Sequence, residues 1–261
     1  MSGGHRARKR FGQNFLHDPQ VIARILRSLA PRPGDAVVEI GPGQGALTLP
    51  LLRALGTLDV VELDRDLIPP LREHCATLGE LHIHQADALE FDFCTLAGTK
   101  KLRIVGNLPY NISTPLLFHL TTQLHCIEDM HFMLQKEVVE RMTAAPGGKD
   151  YGRLGIMLQY YCDAEYLFTV GPGAFKPAPK VHSAIVRLTP HAAPPVPCDP
   201  ALLSKVVTEA FSYRRKTLRN ALKNLLDVDQ IIACDIDPGA RPETLTLVEF
   251  SRLAEQLSPT L

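Results

Sequence analysis

The sequence lacks the features of a membrane or secreted protein. No uninterrupted apolar stretch among its 261 residues reaches the ~18 to 20 residues that a membrane-spanning helix needs. Basic residues near the N-terminus are not followed by the apolar core of a signal peptide, because Gln13, Asn14, His17 and Asp18 interrupt it. We therefore expect a cytoplasmic protein that does not associate with a membrane.

The sequence also lacks closely spaced cysteine pairs. Zinc sites and redox motifs typically contain a CxxC pair, and none occurs here, so we expect neither and assign no metal. Widely spaced cysteines in a cytoplasmic protein indicate reduced thiols. The six cysteines are at positions 75, 94, 126, 162, 198 and 234.

The chain has no net charge, since 28 basic residues balance 28 acidic ones. This argues against a polyanion-binding tail but not against local basic patches. Such patches occur in the N-terminal arm, in a proline-rich loop and near the C-terminus, and each is either a solvated surface or a set of phosphate contacts. The candidate phosphate contacts are Arg8, Lys9, Arg10, Lys176, Lys180, Arg214, Arg215, Lys216, Arg219 and Lys223.

Short apolar runs alternate with helical patterns over the first part of the chain. This alternation predicts an α/β fold, a doubly wound Rossmann-like sheet that is mostly parallel. A later apolar pair, Tyr166–Val170 and Val181–Leu188, predicts antiparallel pairing near its C-terminal end. The five strands predicted before that pair are Ala36–Ile40, Leu58–Leu63, Leu81–Gln85, residues 102–106 and Met130–Leu134.

A proline-rich stretch predicts a domain boundary. Residues 190–200 contain five prolines, which is typical of a stiff linker. Beyond it the sequence shows helical periodicity and no convincing strand. We therefore expect a first domain over residues 1–192, including the basic arm, and a small all-α domain over residues 199–261.

Polar or glycine residues stand at the ends of successive predicted strands. Gly41 opens a glycine-rich turn, and Glu62, Asp87 and Asn107 follow later strands. Ligands of open α/β sheets bind at these strand ends. A glycine turn with a ribose-binding carboxylate suits NAD as well as S-adenosylmethionine, so an NAD-dependent oxidoreductase is an alternative at this point.

The tetrapeptide Asn107-Leu108-Pro109-Tyr110 distinguishes an NAD-dependent enzyme from one that uses S-adenosylmethionine better than the glycine turn does. Pro109 cannot extend the strand and pushes Leu108 into an extended conformation. The Asn107 amide and the freed backbone carbonyls can accept hydrogen bonds from an exocyclic amine, and Tyr110 can stack on a planar base. The motif resembles that of amino methyltransferases acting on N6 of adenine. An ordinary strand-to-helix turn is the alternative.

Several longer motifs extend this resemblance from Arg8 nearly to the C-terminus. The chain closely resembles the bacterial small-subunit (16S) rRNA adenine dimethyltransferases, the kasugamycin-resistance family. The motifs that carry the resemblance are Arg-Phe-Gly-Gln-Asn-Phe-Leu16, Val-Glu-Ile-Gly-Pro-Gly-Gln-Gly45, Val-Glu-Leu-Asp64, Asn-Leu-Pro-Tyr-Asn-Ile-Ser113, Met-Leu-Gln-Lys-Glu137, Phe-Lys-Pro-Ala-Pro-Lys-Val181, Glu-Ala-Phe211 and Arg-Arg-Lys-Thr-Leu-Arg-Asn220.

The resemblance implies an enzyme that dimethylates two adjacent adenines in a hairpin loop near the 3′ end of small-subunit rRNA. Its partner would be a 30S assembly intermediate, and we expect a monomer. The candidate catalytic residues are Asn107, Leu108, Pro109, Tyr110 and Phe175. We expect Tyr110 and Phe175 to stack on the target base, and we expect the proline-rich loop to expose Phe175. The implied S-adenosylmethionine contacts are Asn14, Leu16, Gly41, Glu62, Asp87 and Asn107.

Two relatives of different function remain as alternatives. One is a non-catalytic nucleic-acid-binding member of the superfamily, such as the mitochondrial transcription factors. The other is the antibiotic-resistance methylase that acts on large-subunit rRNA. The intact turn at Asn107 argues against the first, and the long basic C-terminal segment argues against the second.

Overall fold

The computed structural model describes residues 14–213 and 215–257. The chain divides into two compact units, one of Met1–Val139 with Glu165–Pro190 and one of Glu140–Ala164 with His191–Leu261. This division differs from the predicted domains, because residues 140–164 group with the C-terminal part of the chain rather than with the first domain. The predicted domain boundary itself stays a prediction.

One seven-stranded sheet dominates the fold, and a separate two-stranded sheet pairs β1 with β8. The strands are β1 Phe15–Leu16, β2 Ala36–Ile40, β3 Thr57–Glu62, β4 Glu80–Gln85, β5 Leu102–Asn107, β6 Ile127–Gln135, β7 Cys162–Val170, β8 Phe175–Lys176 and β9 Ser183–Pro190. The large sheet has the order β4-β3-β2-β5-β6-β9-β7. Strands β2 to β6 pair in parallel, and β9 runs antiparallel to β6. The predicted fold class is confirmed.

Helices connect the parallel strands of the first unit. They are α1 Pro19–Leu29, α2 Thr48–Leu55, α3 Ile68–Cys75 and α4 Ser113–Thr121, and α5 Lys136–Thr143 follows β6. Helix α1 begins as the sequence predicts, because the Asp18 carboxylate accepts from the amides of Gln20 and Val21. Pro19 occupies the first helical position, where its missing N–H costs nothing.

The core of the first unit lies on the faces of the central strands. Strands β2, β3 and β5 are near-continuous apolar runs, as expected of parallel strands covered on both faces. Leu29 of α1 and Leu51 and Leu52 of α2 are at most 1% exposed and belong to this core. The packing fixes the strand ends at which the site is built.

The second unit is helical over its described C-terminal residues. Its helices after α5 are α6 Arg153–Tyr161, α7 Pro200–Ala210, α8 Leu218–Ala221, α9 Val228–Ala233 and α10 Leu247–Glu255. Capping boxes begin α9 and α10. The proline-rich stretch is partly packed, since Val196 is 4% exposed and the Tyr160 hydroxyl donates to the Cys198 carbonyl at 2.9 Å. No helix in the described part of the chain has the length and apolarity that a membrane crossing needs.

Candidate active site

The site lies where the strand order reverses. Strand β2 has β3 and β4 on one side and β5 and β6 on the other, and such switch points are where open α/β sheets bind ligands. Gly106 of β5 pairs with Ile40 of β2. A Cβ at Gly106 would lie 2.7 Å from the Ile40 carbonyl oxygen, so the strands approach closely only with glycine there. This approach brings Gly41 and Asn107 to neighbouring strand ends.

Gly41 leaves space for a ligand. Its φ is +68°, and its amide donates to the Val61 carbonyl at 2.9 Å. A Cβ built there meets no atom within 4 Å, so any larger side chain would project into the cavity that Gly41 lines. The turn therefore combines a left-handed backbone with an open cradle, which fits a bound cofactor.

The Glu62 carboxylate is held by backbone amides. Oε2 accepts from the Gly43 amide at 3.2 Å and Oε1 from the Asp64 amide at 2.8 Å. The side chain is buried, and burial raises the pKa of Glu62, while these backbone donors oppose the shift. Each oxygen keeps a further lone pair, so the fixed carboxylate can also accept from ribose hydroxyls.

Asp87 is fixed in a similar way at the end of β4. Its Oδ1 accepts from the Leu89 amide at 2.9 Å, and its carbonyl accepts from the Glu90 amide at 3.0 Å. This local turn orients the carboxylate. Its other oxygen can accept from the amino group of an adenine ring.

Residues 14–16 cover the glycine turn. Strand β1 pairs with β8, so that Phe15 lies opposite Lys176 and Leu16 opposite Phe175. The Phe15 ring comes within 3.3 Å of where a Cβ on Gly43 would stand. No pattern in the sequence indicated this two-residue pairing or the Phe15 contact.

Asn107 is anchored to that arm. Its Nδ2 donates to the Asn14 carbonyl at 3.0 Å. Because a carbonyl oxygen can only accept, this contact leaves the amide oxygen of Asn107 as an acceptor for other groups. The next residue is fixed too, since the Leu108 amide donates to the Met133 carbonyl at 3.2 Å.

One pocket collects the predicted cofactor residues. Asn14, Leu16, Gly41, Glu62, Asp87 and Asn107 all line it, together with Leu108 and Pro109. Sequence reasoning missed Leu63, which also lines the pocket and is 50% exposed although apolar. Its place directly after the strand-end acid was the signal that could have identified it as an apolar contact for a planar ring.

Glu39 is a further pocket residue that the sequence did not single out. It is 2% exposed, and the Thr48 hydroxyl donates to its Oε2 at 2.6 Å. Burial raises the pKa of Glu39 to about 8, and the nearby Glu62 adds to that shift. Burial therefore favours the neutral form of the Glu39 carboxyl group.

The two aromatic residues expected to stack on the target base are less accessible than the sequence suggested. The Tyr110 hydroxyl lies 2.9 Å from the Ser183 hydroxyl, and the ring is partly buried. Phe175 is 3% exposed and packs in the core with Leu16 and Val170. The expected exposure of Phe175 is therefore wrong, because pairing of its strand with β1 turns the ring inward. The described pocket lining includes neither ring.

The predicted RNA contacts fall into two sets. Arg8, Lys9, Arg10 and Arg214 lie outside the described residues. The others, Lys176, Lys180, Arg215, Lys216, Arg219 and Lys223, are all exposed. The Lys216 ammonium lies 3.8 Å from the centroid of the Tyr213 ring, a cation–π contact that leaves it near the surface.

The cysteines correct one prediction. Cys94 and Cys126 form a disulfide, with Cα atoms 5.5 Å apart across a sequence separation of 32 residues. Reading all six cysteines as separate thiols was wrong because the turns before β5 and β6 bring this pair together. Spacing along the sequence carries no signal for such a contact. Cys75, Cys162, Cys198 and Cys234 are free.

The similarity of this chain to known proteins agrees with the geometry of the site. A sequence model of the family described as ribosomal RNA adenine dimethylase matches residues 4–258. The chain belongs to the ribosomal RNA adenine dimethylase family. It is 63% identical over 256 residues to ribosomal RNA small subunit methyltransferase A of Pseudomonas aeruginosa, covering 97% of this chain and 96% of the relative. The protein of that name from Nitrosococcus oceani is 60% identical over 252 residues, with 96% of each chain covered.

Solved structures of this family type have the same fold. A dimethyladenosine transferase from Plasmodium falciparum superposes with a TM-score of 0.78 at 25% identity, covering 92% of this chain and 95% of its own. The 23S rRNA methyltransferase ErmE superposes with a TM-score of 0.73 at 28% identity, covering 94% and 99%. The predicted enzyme class and the predicted cofactor, S-adenosylmethionine, are confirmed by the family. The family also removes the oxidoreductase alternative.

Proposed function

We propose that this protein transfers methyl groups from S-adenosylmethionine to N6 of two adjacent adenines near the 3′ end of 16S rRNA. Each adenine is dimethylated, and both lie in a hairpin loop. The observation that carries the proposal is the anchored amide of Asn107 at the edge of a pocket that also contains Gly41, Glu62 and Asp87. An amine acceptor and a set of nucleoside contacts therefore meet at one place.

The cofactor is held by residues from four strand ends and the arm. Glu62 binds the ribose hydroxyls, and Asp87 accepts from the adenine amino group of the cofactor. Gly41 leaves room for the methionine portion, while Asn14 and Leu16 cover the site. Bound in this way, S-adenosylmethionine supplies an electrophilic methyl group.

The turn at Asn107 prepares the target amine. The N6 lone pair of adenine is delocalised into the ring, which makes it a poor nucleophile. The Asn107 amide oxygen and the Leu108 carbonyl accept its two protons and favour a pyramidal nitrogen with a localised lone pair. Positioning supplies most of the rate, and the proton released afterwards passes to water, so no strong base is required.

The target base must leave its stack to reach this turn. We assign Tyr110 and Phe175 as its stacking partners. Stacking on an aromatic side chain is worth ~1 to 3 kcal/mol per base. Because Phe175 is 3% exposed, its ring must be uncovered when the base enters, whereas the partly buried Tyr110 needs less rearrangement.

The small-subunit assignment rests on the similarity in sequence. The relatives at 60–63% identity are named as small-subunit methyltransferases, whereas the large-subunit enzyme ErmE is 28% identical. The exposed cations Lys176, Lys180, Arg215, Lys216, Arg219 and Lys223, with Arg8, Lys9, Arg10 and Arg214, contact rRNA phosphates. We further propose that the protein is a cytoplasmic monomer whose substrate is a 30S assembly intermediate.

Mapping of methylated nucleotides tests this function. Unmethylated small subunits are incubated with the protein and S-adenosylmethionine, and the rRNA is digested and analysed by mass spectrometry. Two adjacent dimethyladenines near the 3′ end are expected, and Asn107→Ala serves as the control for contaminating activity. Methylation of unmethylated large subunits alone would contradict the assignment.

A further inference from the structure

A pair of cysteines and a histidine lie close together on the first unit. Cys94 is in the short 3-10 helix Phe93–Leu96, and Cys126 ends the short 3-10 helix Leu124–Cys126. The two cysteines are joined, and the exposed His125 places Nε2 3.3 Å from Cys94 Sγ. The proposed methyl transfer uses none of these side chains.

The two sulfur atoms differ in accessibility. Cys94 is partly exposed, whereas Cys126 is 7% exposed and its Sγ lies 3.1 Å from the Gln123 carbonyl. A small thiol or disulfide reagent can therefore reach Cys94 but not Cys126. His125 can take the proton of the Cys94 thiol, which is what converts a thiol into the reactive thiolate.

The cysteine-bearing segments are held together by more than the disulfide. Gln123 accepts through Oε1 from the Phe93 amide at 2.7 Å, and its Nε2 donates to the Phe91 carbonyl at 3.2 Å. The rings of Phe91 and Phe93 also contact edge to face at 5.1 Å. The two sulfur atoms consequently stay close when the bond is broken, so that the pair can close again.

The other four cysteines are poorly suited to exchange. Cys75, Cys162 and Cys234 are buried, and Cys198 is only partly accessible. Burial raises the pKa of each, in the case of Cys162 to about 12. Raised pKa values lower the thiolate fraction and therefore the reactivity.

We propose that Cys94 and Cys126 form a reversible dithiol–disulfide site that exchanges with low-molecular-weight disulfides such as oxidised glutathione. The Cys94 thiolate, its proton taken by His125, attacks one sulfur of oxidised glutathione and releases one glutathione thiolate. The Cys126 thiolate then attacks Cys94 Sγ and releases the second. One dithiol and one oxidised glutathione give one protein disulfide and two reduced glutathiones, which take up both protons.

The disulfide closes a loop that contains the turn at Asn107. The segment between the two cysteines includes Asn107–Tyr110 and α4, and Cys94 follows Asp87 by only a few residues. Closing a loop of this length restricts the unfolded chain. The oxidised protein should therefore melt roughly 5 to 10 °C above the reduced protein, whereas the melting temperature of Cys94→Ser should not respond to the redox buffer.

The test uses the full chain, reduced, desalted and equilibrated in buffers of different glutathione ratios. Alkylation and peptide mass spectrometry should show a two-electron transition confined to Cys94 and Cys126. In Cys126→Ser the glutathione adduct should accumulate on Cys94, whereas Cys94→Ser should form an adduct on Cys126 at least roughly tenfold more slowly, because Cys126 is buried whereas Cys94 is accessible and lies beside His125. Equal rates in the two variants, or no disulfide at any ratio, would overturn the proposal.

His125 has its own measurement. His125→Gln should slow exchange at pH 7 by roughly tenfold and approach the wild-type rate above pH ~8.5, where a thiol ionises unaided. The exposed His74 provides the matched control His74→Gln, which should leave the rate unchanged. The three ligand atoms lie within 4.8 Å of one another, so added zinc retained by the reduced protein, with thiols that resist exchange, would assign the cluster to metal binding and refute the proposal.

Discussion

The side-chain amide of Asn107 donates from Nδ2 to the backbone carbonyl of Asn14 at 3.0 Å. This contact joins the turn after β5 to the arm that covers the glycine turn. Because the Asn14 carbonyl can only accept, it fixes which end of the amide faces away from the arm. Closure of the arm and orientation of the amine acceptor therefore depend on the same hydrogen bond.

Glu62→Ala should weaken S-adenosylmethionine binding. The variant loses the ribose acceptors, and it also leaves the Gly43 and Asp64 amides without their carboxylate partner. Hydrogen bonds to charged groups contribute ~1.5 to 3 kcal/mol, so we expect a loss in affinity of roughly 10- to 100-fold. Calorimetry measures the affinity directly.

The exposed Glu73 of α3 supplies a matched control for that measurement. Glu73→Ala removes the same charge from the same unit and should bind as the wild type does. An unchanged affinity in a folded Glu62→Ala variant would show that the carboxylate does not hold the cofactor.

Glu39→Gln should flatten the alkaline side of the stability profile. The pKa of Glu39 rises from 4.5 to about 8 on folding, so the folded state binds a proton that the unfolded state releases, and the free energy of unfolding falls as the pH rises between these values. One such proton changes stability by about 1.4 kcal/mol per pH unit. Gln keeps an acceptor for Thr48 and cannot titrate. Urea unfolding between pH 6.5 and 8 should show a steeper decline for wild type than for the variant, and equal slopes would contradict the assignment.

His131 should make the free energy of unfolding fall as the pH drops, which is the opposite of the effect of Glu39. His131 is 2% exposed, and its Nδ1 lies 3.9 Å from a carboxylate oxygen of Asp129. Burial lowers the pKa of His131 from 6.5 to about 4. The unfolded state then binds the extra proton, so the free energy of unfolding falls as the pH drops through this window.

His131→Leu removes that titration from a buried site of β6. Denaturant unfolding at several pH values from 6.5 to 4 should show a shallower loss for the variant than for the wild type. The control is His74→Leu, since His74 is exposed. If the free energy of unfolding of His131→Leu fell with pH as steeply as that of the wild type, groups other than His131 would cause the acid sensitivity.

Much of the sheet was predictable because its buried parallel strands appear in the sequence as short, nearly continuous apolar runs. Fully buried parallel strands are apolar throughout, so β2 was predicted with its exact bounds and β5 within one residue. The strand-end positions of Gly41, Glu62, Asp87 and Asn107 then followed from topology, since parallel strands place their carboxyl ends at one edge. Local sequence determines these features.

The remaining features depend on contacts between distant segments. The small sheet pairs Phe15–Leu16 with Phe175–Lys176. Each of its strands has only two residues, which is too few for the sequence to show an alternation of apolar and polar residues. Burial of Phe175 depends on that pairing, and a proline-rich loop gives no hint of it. The disulfide between Cys94 and Cys126 arises from the arrangement of two turns in space.

The basic C-terminal segment should set the salt dependence of rRNA binding. Arg215, Lys216 and Arg219 are exposed, and each phosphate contact contributes ~0.7 to 0.9 to the slope of log affinity against log salt. Replacing all three with Gln should flatten the slope by roughly two units. Affinity for S-adenosylmethionine should not change, because the proposed cofactor residues lie in the first unit.

A second triple variant controls for net charge. Arg27, Arg53 and Arg72 are exposed on α1, α2 and α3 and have no proposed contact to RNA. Changing them to Gln should leave the slope near that of the wild type. A normal slope in the Arg215, Lys216 and Arg219 variant, at unchanged melting temperature, would remove this segment from the RNA-binding surface.

The single-turnover rate of Asn107→Ala tests the central claim most directly. Unmethylated small subunits are mixed with saturating S-adenosylmethionine and excess enzyme, so that the rate reports methyl transfer rather than cofactor binding or product release. Loss of one preorganised hydrogen bond to the reacting group predicts a rate ~10²- to 10³-fold below wild type, in a variant with a normal melting temperature. A rate within about threefold of wild type, far inside that expected loss, would show that Asn107 does not prepare the amine.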